Sequence, residues 1–390
     1  MEKLLEVIRD VELNDLDDYL KTIASSGEDV ACFIPAQNGA MLLHGFESIE
    51  KLCDQGLRFV AIFLLDEEFD AFKDVDVNIP ILPVSQLDSM KEKPKYIIMV
   101  KSTAKAVWHD VMYQYFMRQD IYPLFLCNVE EIRSIRKFYM HHILDIYGAY
   151  KMLDDDVSRK SFLGVWKAVM TGQAYDSVYT EEMQYLSPGF LPFEGCIAID
   201  GGAFDGETAK TFVDMGAEVY SFELDRNNFP RVEEMARLHG FHAVNKGLWS
   251  CKKEGHYIMA GDSSLISSSY GEETVELIDI DTFVDENKIS RIDYIKMDIE
   301  GAELEALKGA ALSITKWKPI LAICAYHKRE DLWMLIRYIN TLRPDYKFAF
   351  RHHKIDSRNY SPFDGMREIY VNHGLDLMIP TPYEYVLYAK

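Results

Sequence analysis

Short apolar runs rich in Val, Ile, Leu and Phe alternate with helical patterns along most of this 390-residue chain. A first series holds VACFI (30–34), FVAIFLL (59–65), IPILPV (79–84), YIIMV (96–100) and LFLC (124–127). Each is short enough for a strand, and the stretches between them have helical spacing. Strands alternating with helices give a parallel sheet with helices on both faces. A second series opens at CIAID (196–200) and continues through EVYSFE (218–223), FHAVNKGL (241–248), VELIDI (275–280) and YIKMD (294–298). It closes with ILAICAY (320–326), KFAFRHH (347–353) and EYVLYA (384–389). No exact internal repeat relates the two series; the same layout is used twice with different sequence.

The expected fold class is therefore α/β, with two Rossmann-like doubly wound domains joined by a helical linker. Residues 1–128 read as N-terminal helices plus a small Rossmann-like domain, 129–185 as the linker, and 186–390 as the second domain. The length alone favours more than one domain. A helical pattern follows YIIMV to about residue 119, and the Ser- and Gly-rich run GDSSLISSSYGEE (261–273) reads as a surface loop. Such a loop can also close over a ligand, which makes Ser263 and Ser264 candidate substrate contacts.

The net charge of −21 argues against nucleic acid and anionic membrane surfaces as partners, because phosphate binding needs clustered Lys and Arg. Six scattered cysteines with no CxxC pair read as reduced thiols, mostly in apolar runs. The acidic N-terminus is neither a signal nor a transit peptide, and no apolar run reaches the ~18 residues that span a bilayer. A cytoplasmic protein is expected.

The stretch IDGGAFDGET (199–208) follows a strand and precedes a helix, where a nucleotide loop belongs. Glycine admits sharp turns and close backbone approach, and the helix N-terminus offers free N–H groups. The spacing is not GxGxxG. The glycine that admits a pyrophosphate is missing, and Phe204 and Asp205 would crowd and repel one. The loop suits a nucleoside without phosphate, such as S-adenosylmethionine, whose cationic parts carboxylates attract. Candidate donor contacts are Asp200, Gly201, Gly202, Gly206 and Thr208. Glu223 and Leu224 follow the second strand, and an acid at Glu223 can accept hydrogen bonds from ribose hydroxyls. Glu207 and Thr208 are expected to cap the next helix.

In YIKMDIEGAELEALKGA (294–310), Asp298 sits at the carboxyl end of a strand, where open α/β sheets bind ligands. It is a candidate to orient a hydroxyl or accept its proton. Lys296 shares its face and lowers its pKa. Glu300 and Lys296 are candidate substrate contacts, and Glu303 reads equally as a helix cap. His327 also follows a strand, and its ordinary basicity suits proton removal at neutral pH. A divalent metal held by His, Asp and Glu has no HxxH or ExxH spacing behind it and is not adopted.

These motifs together resemble the FkbM-type S-adenosylmethionine-dependent methyltransferases. The resemblance rests on IDGGAFDGET, FELDRNN (222–228), NKGLWS (245–250), YIKMDIEGAELEALKGA, AICAYHKREDLW (322–333) and YEYVLYA (383–389), and spans about residues 186–390. It implies a class I methyltransferase-like seven-stranded sheet and methylation of a hydroxyl oxygen. It also places Asp200, Gly202, Gly206 and Glu223 at the methyl donor, with Asp298 and Glu300 beside the substrate. Two departures stand out: Leu224 where proline is common, and Tyr385 where threonine is common. Residues 1–128 resemble small Rossmann-like domains that precede some of these enzymes. Their loop PAQNGA retains only Gly39, so a structural or partner-docking role is expected there, including homo-oligomerisation.

The expected activity is transfer of a methyl group from S-adenosylmethionine to a hydroxyl of a sugar, glycan or related natural product, with His327 and Asp298 as catalytic residues. The alternatives are a non-catalytic nucleotide- or sugar-binding protein and, behind it, an NAD-dependent sugar-modifying enzyme.

Overall fold

A computed structural model describes residues 3–5, 16–35, 39–100, 112, 115–126, 129–171, 178–260, 263–267, 273–356, 378–379 and 384–390. The chain forms two compact units. One comprises Met1–His141, Gly164–Ser177 and Lys354–Pro382; the other comprises His142–Leu163, Val178–His353 and Tyr383–Lys390. The stretch 129–185, expected as a linker, thus divides between them.

In the first unit, β1 (Asp29–Phe33), β2 (Arg58–Leu64), β3 (Ile81–Pro83), β4 (Tyr96–Val100) and β5 (Tyr122–Leu126) form one parallel sheet in the order β3-β2-β1-β4-β5. Alternate side chains of a strand point to opposite faces, and both faces here are buried. Phe33, Phe63 and Met99 enter one cluster, while Cys32, Ile62 and Val100 enter another. The helices Leu16–Ser26, Gly39–Asp54 and Asp66–Phe72 accompany this sheet. Residues 36–38 of PAQNGA and most of the helical pattern after β4 lie outside the described residues. Asp66 Oδ1 accepts the Ser85 N–H, which fastens the short 3₁₀ turn Val84–Ser89.

The second unit begins its main sheet with β6 (Ile197–Gly201), β7 (Glu218–Phe222) and β8 (His242–Val244). Four strands then build a side sheet: β9 (Gly247–Leu248), β10 (Lys253–Ala260), β11 (Ser263–Ser267) and β12 (Glu273–Ile278), in the order β11-β10-β12-β9. The main sheet resumes with β13 (Tyr294–Met297), β14 (Ile320–Cys324) and β15 (Phe348–His352). Two short strands, β16 (Ile355–Asp356) and β17 (Met378–Ile379), pair with each other in the first unit. Finally β18 (Tyr385–Ala389) inserts antiparallel between β14 and β15, which completes the seven-stranded order β15-β18-β14-β13-β6-β7-β8. This is a class I methyltransferase-like sheet.

Three expectations need correction. The run 241–248 is two strands in different sheets, because the chain turns at Asn245 and Lys246. The run expected at 275–280 belongs to the side sheet and ends at Ile278. There Asp279 accepts the Thr282 N–H at 2.7 Å and caps the helix Ile280–Glu286. The Ser-rich stretch is not wholly a loop: residues 263–267 pair antiparallel with β10, and 261–262 and 268–272 lie outside the described residues. Among the described cysteines, Cys32, Cys196 and Cys324 are buried free thiols, whereas Cys53 and Cys251 are exposed. No helix among the described residues is long and apolar enough to cross a membrane.

Candidate functional site

The main sheet reverses its winding between β6 and β13, and open α/β sheets bind ligands outside the strand ends at such a point. Two chain segments meet there: the glycine loop after β6 and the turn after β13. Their contact is closest at Gly202. Its φ of +79° is in the left-handed region, and a Cβ there would lie 1.8 Å from the Asp298 carbonyl oxygen. Only glycine fits. Gly206, at φ +87°, is the N-cap of the helix Glu207–Asp214 and packs against Met235.

Lys296 braces this junction from below. It is 2% exposed, and its ammonium donates to Gly201 O at 3.0 Å and Gly202 O at 2.6 Å. It also lies 3.0 Å from Asp200 Oδ1 and 5.1 Å from the centre of the Tyr185 ring. Burial opposes its charge, but Asp200 and Asp298 outweigh that and raise its pKa. Its three N–H bonds thus face into the protein, which corrects the expectation that Lys296 contacts substrate. Asp200 is likewise sealed in, at 0% exposure, with Oδ2 accepting from Ser221 Oγ at 2.6 Å. Direct contact between Asp200 and a donor is therefore replaced by a role under the loop.

Helix capping also differs from expectation. Neither Glu207 nor Thr208 caps the helix; Asp205 Oδ1 accepts the Glu207 N–H at 3.1 Å, and Thr208 is half-buried within the first turn. Just before Asp205, Phe204 has φ +52° and its residue surface is 63% exposed. Its N–H donates to Glu223 Oε2 at 2.7 Å, and Glu223 Oε1 accepts the Asp225 N–H at 2.7 Å. Burial raises the Glu223 carboxyl above its ordinary range despite these two donors. Glu223 thus ties the end of β7 to the glycine loop. Leu224 turns away to pack on Val275 and Leu277.

On the β13 side, a cluster of carboxylates surrounds one imidazole. Asp298 Oδ2 accepts from Tyr185 Oη at 2.6 Å, and Oδ1 accepts from Tyr326 Oη at 3.2 Å. The His327 side chain is 7% exposed. Its Nδ1 donates to Glu303 Oε1 at 2.8 Å, while Nε2 lies 3.4 Å from Asp298 Oδ1 and 3.5 Å from Glu300 Oε2. Glu303 Oε1 also accepts the Ile299 N–H at 2.9 Å, which closes the turn through Glu300 and Gly301, both at positive φ. Glu384 Oε2 lies 3.4 Å from Tyr326 Oη and accepts from Gln184 Nε2.

This crowding sets the charges. Burial disfavours the His327 cation, but Glu303, Asp298 and Glu300 push its pKa up to about 10. The imidazole is therefore protonated at neutral pH, and the expectation of an ordinary basicity at His327 fails. Burial works against the Asp298 carboxylate, but the charges of Lys296 and His327 and the Tyr185 hydroxyl hold its pKa below the usual range. Asp331 is pushed up to about 7 by burial and by Glu303. Glu384 is pushed up to about 7 by burial and by Asp298. His352 and His353 are buried elsewhere in the sheet, and burial lowers His353 to about 4.

The fold brings Gly201, Gly202, Lys296 and Asp298 into one junction, with Glu300 and His327 beside them. Ser263 and Ser264 lie on β11, in the side sheet. Among the described residues no group of three or more His, Cys, Asp or Glu is placed to hold a metal ion. A separate cavity of about 400 Å³ beside the edge strand β8 is lined by Tyr220, His242, Val244, Lys246 and Phe283, among others, and includes none of the candidate site residues. Sequence reasoning missed Tyr185, Tyr326 and Glu384. Tyr326 immediately precedes His327 and carried that much signal; Gln184, Tyr185 and Glu384 reach the site only through the sheet order.

A family model described as "Methyltransferase FkbM domain" matches residues 200–358. No curated protein matches the chain. Among solved structures, the chain is similar to a methyltransferase FkbM from Methylobacillus flagellatus KT, with a TM-score of 0.62 and 18% identity over 100% of this chain and 98% of that one. A putative methyltransferase from Streptococcus mutans in complex with SAH aligns over 51% of this chain and 91% of its own, at 12% identity and a TM-score of 0.28. A SAM-dependent methyltransferase from Geobacter sulfurreducens in complex with S-adenosyl-L-homocysteine aligns over 54% and 92%, at 11% identity and a TM-score of 0.28.

Proposed function

We propose that this chain, which carries an FkbM-type methyltransferase domain in residues 200–358, moves a methyl group from S-adenosylmethionine to a hydroxyl oxygen of a sugar, glycan or related natural product. The observation that carries the reading is the meeting of the glycine loop and the Asp298 turn at the winding reversal of the sheet. The loop has Phe204 and Asp205 where a pyrophosphate would need space and neutral backbone. Beside it stand carboxylates that accept hydrogen bonds from hydroxyls.

The reaction is in-line attack of the acceptor oxygen on the methyl carbon. The sulfonium already makes that carbon electrophilic, so alignment of the two reactants supplies most of the catalysis, ~7–11 kcal/mol. As the C–O bond forms, the oxygen gains positive charge and its proton becomes strongly acidic. A carboxylate is then a sufficient base, and Asp298 takes that role. His327, already protonated, does not accept the proton; it keeps Asp298 ionised and oriented. Gly201, Gly202, Gly206 and Thr208 present backbone to the donor, and Glu223 faces its ribose.

Calorimetric titration with S-adenosylmethionine and NAD tests the donor. Binding of the former alone is expected; tight NAD binding without a response to S-adenosylmethionine overturns the reading. A methyl-transfer screen over neutral glycosides, with mass detection, then tests the acceptor. A non-catalytic binding protein would take up the donor and yield no S-adenosylhomocysteine with any acceptor.

A further inference from the structure

One hydroxyl, that of Tyr326, faces two carboxylates: Asp298 Oδ1 at 3.2 Å and Glu384 Oε2 at 3.4 Å. It has a single proton to donate. Whichever carboxylate lacks that proton confronts a hydroxyl lone pair, unless it carries a proton of its own and donates in turn. The geometry therefore favours a row of three oxygens that shares a proton. The two ends of the row differ in their partners and not in exposure. Asp298 is held by Tyr185, Tyr326 and His327 with its side chain 26% exposed, and Glu384 is held by Gln184 and is half-buried. Glu384 is also held at φ +64°, a costly backbone state for a residue with a side chain. The His353 N–H fixes it by donating to the Glu384 carbonyl at 2.9 Å.

We propose that the proton released by the acceptor hydroxyl leaves the site along this row, from Asp298 through the Tyr326 hydroxyl to Glu384 and then to water. The proposal rests on the methyl-transfer reading above. In the transfer, the acceptor oxygen bonds to the methyl carbon while the carbon–sulfur bond breaks and its electron pair stays on sulfur. The acceptor O–H bond then breaks, its pair stays on oxygen, and the proton passes to the Asp298 carboxylate. Asp298 next gives a proton to Tyr326 Oη, and Tyr326 gives its own to Glu384 Oε2. Tyr326 ends as it began, so Glu384 is a positioning residue that acts through its neighbours.

The electrostatics run the same way. Asp298 is held below the ordinary carboxylate range and Glu384 sits near 7, so the proton moves downhill towards Glu384. The groups that face Glu384 are Asp298 from β13, Tyr326, His327 and Cys324 from β14 and its turn, and Gln184 and Tyr185 from the segment before β6.

The test compares thermal unfolding of the wild type, Glu384→Gln and Tyr326→Phe between roughly pH 5 and 9. Calorimetry with S-adenosylhomocysteine runs alongside. A carboxyl raised on folding from 4.5 to about 7 loses stability as pH rises between those values and no more above them, so Glu384→Gln is expected to gain melting temperature over the wild type between about pH 5 and 7 and to hold that gain above 7. Parallel curves overturn the proposal. Tyr326→Phe is expected to move the midpoint of the wild-type transition, and an unmoved midpoint also overturns it. With the acceptor found by the methyl-transfer screen, the wild-type rate should fall below about pH 7, and Glu384→Gln should lose that limb and at least tenfold in rate. An unchanged profile in Glu384→Gln overturns the relay. Failure of the wild type to bind S-adenosylhomocysteine overturns the methyl-transfer reading instead, and the unfolding curves still decide whether Glu384 holds the shared proton.

Discussion

A single added methyl group would do most harm at Gly202. The nearest obstacle is the Asp298 backbone carbonyl, which belongs to a sheet strand end and has little room to move. Gly202→Ala is expected to destabilise the second unit by more than about 4 kcal/mol and to abolish S-adenosylhomocysteine binding. Thermal unfolding and calorimetry check both. His327 gives a pH prediction with a definite sign. Its pKa rises from 6.5 to about 10 on folding, so its contribution to stability is complete below about 6.5 and is lost as pH rises through about 10. The melting-temperature advantage of the wild type over His327→Gln should therefore shrink between those values. An advantage that stays constant across that range would contradict the imidazolium assignment. The sequence alone favours His327 as the base, because an isolated histidine titrates near neutrality. Only the folded chain shows Glu303, Asp298 and Glu300 converging on it.

Among the elements, β18 and β8 make the sharpest contrast. β18 lies between β14 and β15, and every residue from Tyr385 to Ala389 is buried. Leu387→Ala on this strand is expected to cost about 2–5 kcal/mol in denaturant unfolding. β8 is an edge strand, and exposed His242→Ala on it should change stability by no more than about 0.5 kcal/mol. Equal costs at the two positions would refute this placement of the core. The buried parallel strands were the legible part of the fold, since ILAICAY is a continuous apolar run between helices and YIKMD is apolar but for Lys296 and its closing Asp298. The side sheet was not legible. Lys253–Ala260 and Ser263–Ser267 are polar or mixed, and their antiparallel pairing depends on partners that no local pattern announces. The site divides in the same way. IDGGAFDGET and KMDIEGAE are contiguous motifs, whereas Tyr185 and Glu384 stand 113 and 86 residues from Asp298 and meet it only in the assembled sheet.

For the whole molecule, a net charge of −21 acts on any charged ligand before contact. S-adenosylmethionine carries a sulfonium that its product lacks, so the field favours donor over product. Salt screens that preference: the Debye length falls from about 10 Å at 0.1 M to about 3 Å at 1 M. The ratio of donor to product affinity is expected to drop as salt is raised across that range, measured by calorimetry with both ligands. A constant ratio would assign the discrimination to short-range contacts alone. The Lys296 brace carries a further implication, for ancestry. Its ammonium binds the carbonyls of Gly201 and Gly202 and pairs with Asp200, while Gly202 rests on the carbonyl of Asp298. Loss of the lysine would strand a buried carboxylate at a cost of about 3–5 kcal/mol. Two motifs almost a hundred residues apart are therefore inherited as one unit, and lineages that exchange Lys296 should be found to have exchanged Asp200 with it.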